Sequence, residues 1–214
     1  MTGLPWAEMA TAWAVFAGNI LSPGPNVFNT IAIALGSGRR VALAVVPAIA
    51  IGVTIWASAA ILGAVVAFHA LPWLPLALTA LGATLLLIFA RRYALAALNW
   101  HQEGAAEGRL MTARDAFVLT LGVLAANPKA LTTWLILVGI FPAGEATMPA
   151  IVIMIIGSAI VASAGHAAYA LAFSTRAAAA AYARAGRWIT AGVALFFTGL
   201  SLTLWFRVVT ALLS

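Results

Sequence analysis

The sequence predicts an all-α integral membrane protein of six transmembrane helices, arranged as two inverted three-helix repeats with broken first and fourth helices. Three observations carry this expectation. Hydrophobic residues make up 64% of the chain and charged residues 7%, where a soluble domain has about a quarter of its residues charged. Apolar runs of spanning length, about 20 residues or more each, follow one another along nearly the whole sequence. An interruption rich in Pro and Asn recurs near the middle of the first and fourth runs.

Span one reads from Trp6 to Leu35 and contains "SPGPN" at 22–26. It lacks a basic n-region and a small-x-small cleavage site, and its apolar run continues past Pro-Gly-Pro, so a cleaved signal peptide is not expected. Span two, Val41 to Phe68, carries Pro47, which reads as a simple kink. Span three is Pro75 to Leu98. The long polar stretch from Asn99 to Arg114, with Glu103, Glu107, Arg109 and Arg114, then divides the chain into a first repeat, 1–98, a cytoplasmic linker, 99–114, and a second repeat, 115–214. Span four, Ala116 to Phe141, contains "ANPKA". Span five, Pro149 to Phe173, carries Gly157, Ser158, Ala162, Ser163 and Gly165, and span six, Ile189 to Leu213, carries Gly192 and Gly199. Small residues of this kind let helices approach where lipid offers no hydrophobic drive for association.

Orientation follows from the cations. Of 11 Lys and Arg residues, all but Lys129 and Arg207 fall on one face of the six-span arrangement. The positive-inside rule makes that face cytoplasmic and puts both termini outside. Trp6, Trp73 and Trp205 then lie near outer ends, Trp100 and Trp188 near inner ends. The net charge of +6 is thus explained by topology, because its cations sit in the gaps between spans rather than on a solvated face with interleaved aromatics. The lipid bilayer is the partner this composition implies and nucleic acid is not. With no cysteine in the chain, disulfides and thiolate metal sites are excluded.

The interruptions suggest a site. "GNILSPGPNVFNTIAIALG" begins at Gly18 and "GVLAANPKALTTWLILVG" at Gly122, 104 residues later. Each lies in the first span of a three-span unit, and an odd number of spans inverts the second unit relative to the first. Paired broken helices in inverted repeats meet at the midplane and mark the binding site. Proline frees backbone polar groups that lipid cannot satisfy, so protein or water must surround each break. Asn127, Pro128 and Lys129 read as N-cap, first and second positions of a new half-helix; in the first half, Ser22 or Gly24 reads as the cap with Pro23 or Pro25 after it and Asn26 beside them. Each half-helix would offer free N–H groups and a positive dipole end to a carboxylate, and Lys129 would add a full charge.

These residues, with "GSGRR" after span one, "AIAIGVTIWASAAILG" in span two and "LGATLLLIFARR" in span three, resemble the LysE/RhtB family of amino-acid exporters from end to end. The resemblance implies secondary-active efflux of amino acids or related small metabolites across a bacterial inner membrane, with no catalytic activity and no cofactor. It assigns substrate binding to Ser22, Pro23, Gly24, Pro25, Asn26, Asn127, Pro128 and Lys129; a second copy of the chain is a candidate partner. One departure stands out. Similar proteins often place Asp after the glycine of span two, whereas Gly52 is followed by Val53. No Asp or Glu lies deep in a span, which argues against a cationic cargo and against a bound metal, and favours neutral or anionic cargo.

His166, with Tyr169 nearly one turn further on, is the candidate for proton coupling; its plainer role is one interhelical hydrogen bond. His69 and His101 fall at span ends. An intramembrane enzyme would need paired aspartates, Ser with His, or HExxH, none of which is present. A metal-ion exporter would need carboxylate, thiolate or several imidazole ligands in the spans. A non-transporting scaffold would not need a lysine between two helix breaks.

Overall fold

The computed structural model describes residues 4–22, 24–71, 73–99 and 110–213, and for residues 128, 131, 176, 178, 179, 182 and 183 the backbone alone. Expectations that fall on Pro23, Trp100, His101 and most of the 99–114 connection lie outside the described residues. Those residues form eight helices and no strand: α1 (Trp6–Leu21), α2 (Pro25–Ala42), α3 (Val45–Ala70), α4 (Leu74–Leu98), α5 (Ala113–Ala125), α6 (Pro128–Ile140), α7 (Met148–Ala172) and α8 (Arg176–Leu213). Four are long and apolar enough to cross a membrane: α3, α4, α7 and the Arg184–Leu213 part of α8.

The first and fourth apolar runs are each two helices. α1 stops at Ser22, whose backbone is extended, and α2 restarts from Gly24 with Pro25 in its first turn. α5 stops at Ala126 and α6 restarts from Asn127 with Pro in its first turn. A proline tolerated in a first turn is intolerable in an interior, where its ring meets the preceding turn. The same rule corrects the expectation for Pro47. It lies in the first turn of α3, where its missing N–H would have been unbonded anyway, so it kinks nothing.

Two boundaries differ from expectation. α2 runs through "GSGRR" to Ala42, bending at Gly38, whose φ of 76° belongs to the left-handed region that glycine enters at no steric cost. α8 begins at Arg176 rather than near Ile189. Its first turns are mostly alanine with arginines, a composition too polar to read as membrane but high in helix propensity. The entry of α5 is fixed by a reciprocal capping box between Thr112 and Asp115.

Packing is tightest between α4 and α8, α3 and α7, and α4 and α6. Glycines let some of these elements touch: the Trp13 indole of α1 fills the place of a side chain at Gly157 in α7, and Leu124 of α5 does so at Gly52 in α3. Gly192 and Gly199 do not act this way, since neither faces a neighbouring atom within 4 Å.

The outer surface is largely apolar, and a set of polar side chains lies buried within the apolar bundle. Val66, Leu195 and Phe206 are 71%, 75% and 70% exposed, while Ser22, Thr30, Thr120, Asn127, Thr133 and His166 are buried. In water those exposed apolar side chains would be unfavourable; against acyl chains they cost nothing.

Candidate functional site

The end of α1 leaves carbonyls that have no partner within the helix, and two other helices supply donors to them. Lys129, in the first turn of α6, places Nζ 2.9 Å from Asn19 O and 2.9 Å from Ser22 Oγ, with Ser22 O at 3.4 Å. Tyr169 of α7 donates its hydroxyl to Leu21 O at 3.0 Å, with Ile20 O at 3.4 Å. Four consecutive carbonyls, Asn19 to Ser22, are thereby satisfied from outside their own helix. Nζ also lies 5.5 Å from the centroid of the Tyr93 ring, within range of a cation–π attraction.

The sequence places Lys129 at the positive end of a half-helix, and the structure shows where its charge goes instead. An ammonium has three donors and no acceptor, so the N–H groups at the start of α6 cannot satisfy it. The carbonyl end of α1, negative by its dipole, can. The α6 terminus is capped by Asn127, whose Oδ1 accepts from Lys129 N at 3.0 Å. The α2 terminus is different, because Gly24 caps it without a side chain, so Ser22 closes α1 rather than opening α2. Gly24 is extended (φ −172°) and needs no glycine for that; what it provides is room, since a Cβ there would lie 3.1 Å from Lys129 Nζ.

Both breaks open on one cavity of about 60 Å³, room for roughly four waters at one per ~15 Å³. Its lining includes Asn19, Gly24, Asn26, Asn127, Lys129, Thr133 and His166, with an apolar wall that includes Phe16, Val53 and Trp134. Val53, the residue that follows Gly52, is thus part of the wall, and no carboxylate stands beside it to offset Lys129 among the described residues. Nor do those residues contain a group of three His, Cys, Asp or Glu side chains able to hold a metal ion.

Of the residues singled out in the sequence, Ser22, Gly24, Asn26, Asn127 and Lys129 come together here. Pro25 lies in the first turn of α2 and is exposed; Pro23 lies outside the described residues, as does the side chain of Pro128. His166 and Tyr169 face the α1–α2 break separately. His166 Nδ1 meets Thr30 Oγ1 at 2.8 Å, Tyr169 turns to the α1 carbonyls, and their ring centroids are 6.4 Å apart. Sequence reasoning misses Asn19, Tyr93, Thr133 and Thr30. Tyr93 OH lies 2.7 Å from Ser22 Oγ and donates to Asn19 Oδ1 at 3.2 Å. Asn19 Nδ2 donates to Thr133 Oγ1 at 2.6 Å. These bonds tie α1, α4 and α6 into one polar network around Lys129.

Compared with known proteins, the chain matches the family described as LysE type translocator over residues 18–207, a span that contains both breaks and every residue lining the cavity except Phe16. No match is found among curated proteins or among solved structures.

Proposed function

The chain belongs to the LysE type translocator family, transporters rather than enzymes, and from that premise we propose that it exports amino acids or related small carboxylate-bearing metabolites across a bacterial inner membrane. One observation carries the reading: a lysine ammonium borders a cavity between two helix breaks with only neutral groups bonded to it. A charge at mid-membrane costs about 2.5 to 3.5 kcal/mol on insertion scales, and anionic cargo gives it a use. The same charge repels a metal cation, which disfavours a metal-ion exporter.

Alternating access between inverted repeats is supported by the packing. The pairs α3 with α7 and α4 with α8 would each lie across a pseudo-two-fold axis. α1 against α7 is matched by α5 against α3, and α2 against α5 by α6 against α1. Equivalent residues behave alike: Gly52 and Gly157, 105 positions apart, each receive a side chain from a half-helix. Asn29 and Thr133, 104 apart, each bond across to the other repeat, Asn29 to Thr120 at 3.0 Å and Thr133 to Asn19. The symmetry fails most where α4 packs closely on α6 without a comparable contact between α8 and α2, and the lighter contacts of α1 with α8, α2 with α3 and α3 with α4 also lack a comparable counterpart. A single conformation of a rocking pair has this asymmetry, and its counterpart would exchange the two contacts.

Counterflow of a radiolabelled amino-acid panel into proteoliposomes tests the proposal. The native chain should exchange at least one carboxylate-bearing compound, and Lys129→Met should lower that exchange roughly a hundredfold or more at unchanged folding. Full exchange by a folded Lys129→Met variant would remove the ammonium from the site.

A further inference from the structure

We infer that the seam between α4 and α6 is the outer gate of the cavity, shut in this structure, and that Gly36 of α2 meets Thr190 of α8 to form the inner gate when the outer one opens. This rests on the alternating-access reading above and on an orientation with both termini outside, in which α4 starts at the outer face and α6 runs outward from the second break. The two helices meet backbone to backbone. A Cβ at Gly139 would lie 2.8 Å from Leu78 O and 3.3 Å from Thr79 Cα, and one at Gly82 would lie 3.4 Å from Ile136 Cα. A side chain at 139 therefore fits only if the two backbones part. Across the seam the Thr79 hydroxyl shares its proton between Pro75 O at 2.8 Å and Gly139 O at 3.0 Å. Gly139 is the last residue but one of α6, so its carbonyl has no partner within the helix. Water can take over that bond when the helices separate, which makes the seam tight and yet reversible.

The same parts recur on the inner side, unassembled. Gly139 follows Pro128 by 11 residues, and Gly36 follows Pro25 by 11. Thr79 stands five residues from the outer end of α4, and Thr190 stands six residues from Arg184, where the spanning part of α8 begins at the inner face. Ala follows each threonine. Yet α8 makes no contact with α2 comparable to that of α4 with α6. Thr190 is fully buried and its hydroxyl has no hydrogen-bond partner, where Thr79 has two acceptors; Gly192, two residues on, faces open space. A buried hydroxyl left unbonded is costly, so this conformation carries an unmade bond on the very helix whose seam is missing. Rocking α2 onto α8 gives Thr190 the carbonyl of Gly36, as Thr79 has that of Gly139, while α6 leaves α4. One seam shut at a time is what carries cargo across without a leak.

The test reads access to the cavity from each side. The full chain, which has no cysteine of its own, carries Ala130→Cys in the cavity wall and sits in sealed vesicles of known orientation, without cargo; a membrane-impermeant methanethiosulfonate is added to one side at a time. Modification from outside should be roughly tenfold or more slower than from inside. Gly139→Val wedges the seam, so the outside rate should rise roughly tenfold or more and the inside rate should fall, because overpacking one state of a two-state pair populates the other. Gly139→Ala, which disturbs folding least, should shift both rates the same way by a smaller factor, and Gly63→Val, at an open position on α3, should shift neither. Adding Thr190→Val to Gly139→Ala removes the bond that the outward-open state gains and should lower the outside rate again, by roughly threefold or more. Equal or faster access from outside in the native background, or unchanged rates in both Gly139 variants, overturns the outer gate; an unchanged rate on adding Thr190→Val overturns the inner one. No arm uses cargo, so a failed counterflow panel removes the carboxylate reading without touching these outcomes, and failed gating leaves the carboxylate reading in place.

Discussion

Lys129 brings three N–H donors into a region where acceptors are scarce, and the end of α1 is where unspent carbonyls collect. The pairing was half legible in the sequence. Asn-Pro-Lys announces a capped half-helix, but nothing in it says that the side chain reaches back across 107 residues to Ser22. Tyr93 was not legible at all. A lone tyrosine in an apolar span reads as an interfacial or packing residue, and its partners, Ser22 and Asn19, are 71 and 74 positions away. Tyr93→Phe should keep the ring over Lys129 and remove the hydroxyl that serves Asn19 Oδ1. The expected cost is about 1 to 3 kcal/mol of stability, the range for a buried polar group left unpaired, with exchange reduced rather than abolished. Unfolding in mixed micelles measures it, and an unaltered midpoint would mean that the network does not hold the site together.

Helix breaks were the most legible elements, because proline chemistry is local: it forbids an interior position whatever the tertiary context. The start of α8 was the least legible, because alanine and arginine in its first turns satisfy helix propensity but fail every test of hydropathy. Gly192 and Gly199 show the limit of composition from another side. A small residue permits close approach, yet only the fold decides whether a neighbour takes up the space, as Trp13 does at Gly157. If the first break exists to present the uncapped end of α2 to cargo, replacing Pro23 and Pro25 with Ala should favour a continuous helix. Each substitution removes a residue about 3 kcal/mol less favourable than Ala in a helix interior. Exchange should then fall by roughly tenfold or more while the unfolding midpoint holds or rises, the balance expected when strain at a site is exchanged for regular structure. A drop in midpoint with full residual exchange would make the break a structural feature alone.

At the scale of the molecule, hydropathy and charge asymmetry were readable because a bilayer imposes them on every span at once. The proposed orientation, with both termini outside, is checked by single cysteines in a chain that has none. Leu110 and Leu213 are 86% and 83% exposed; Leu213→Cys should react with an impermeant thiol reagent from the periplasm and Leu110→Cys should not, and the reverse would invert the orientation. The meeting of two breaks at one cargo cavity is the claim on which everything else depends. Ala130 lines that cavity, one residue beyond Lys129, and Ala130→Cys changes little else there. The most direct measurement is the rate at which a small thiol reagent modifies Ala130→Cys in proteoliposomes, with and without saturating cargo. Cargo that the chain exchanges should slow modification several-fold and leave Gly63→Cys, at an open position on α3, unaffected. An unchanged rate at Ala130→Cys in vesicles that still exchange that cargo would place the binding site elsewhere.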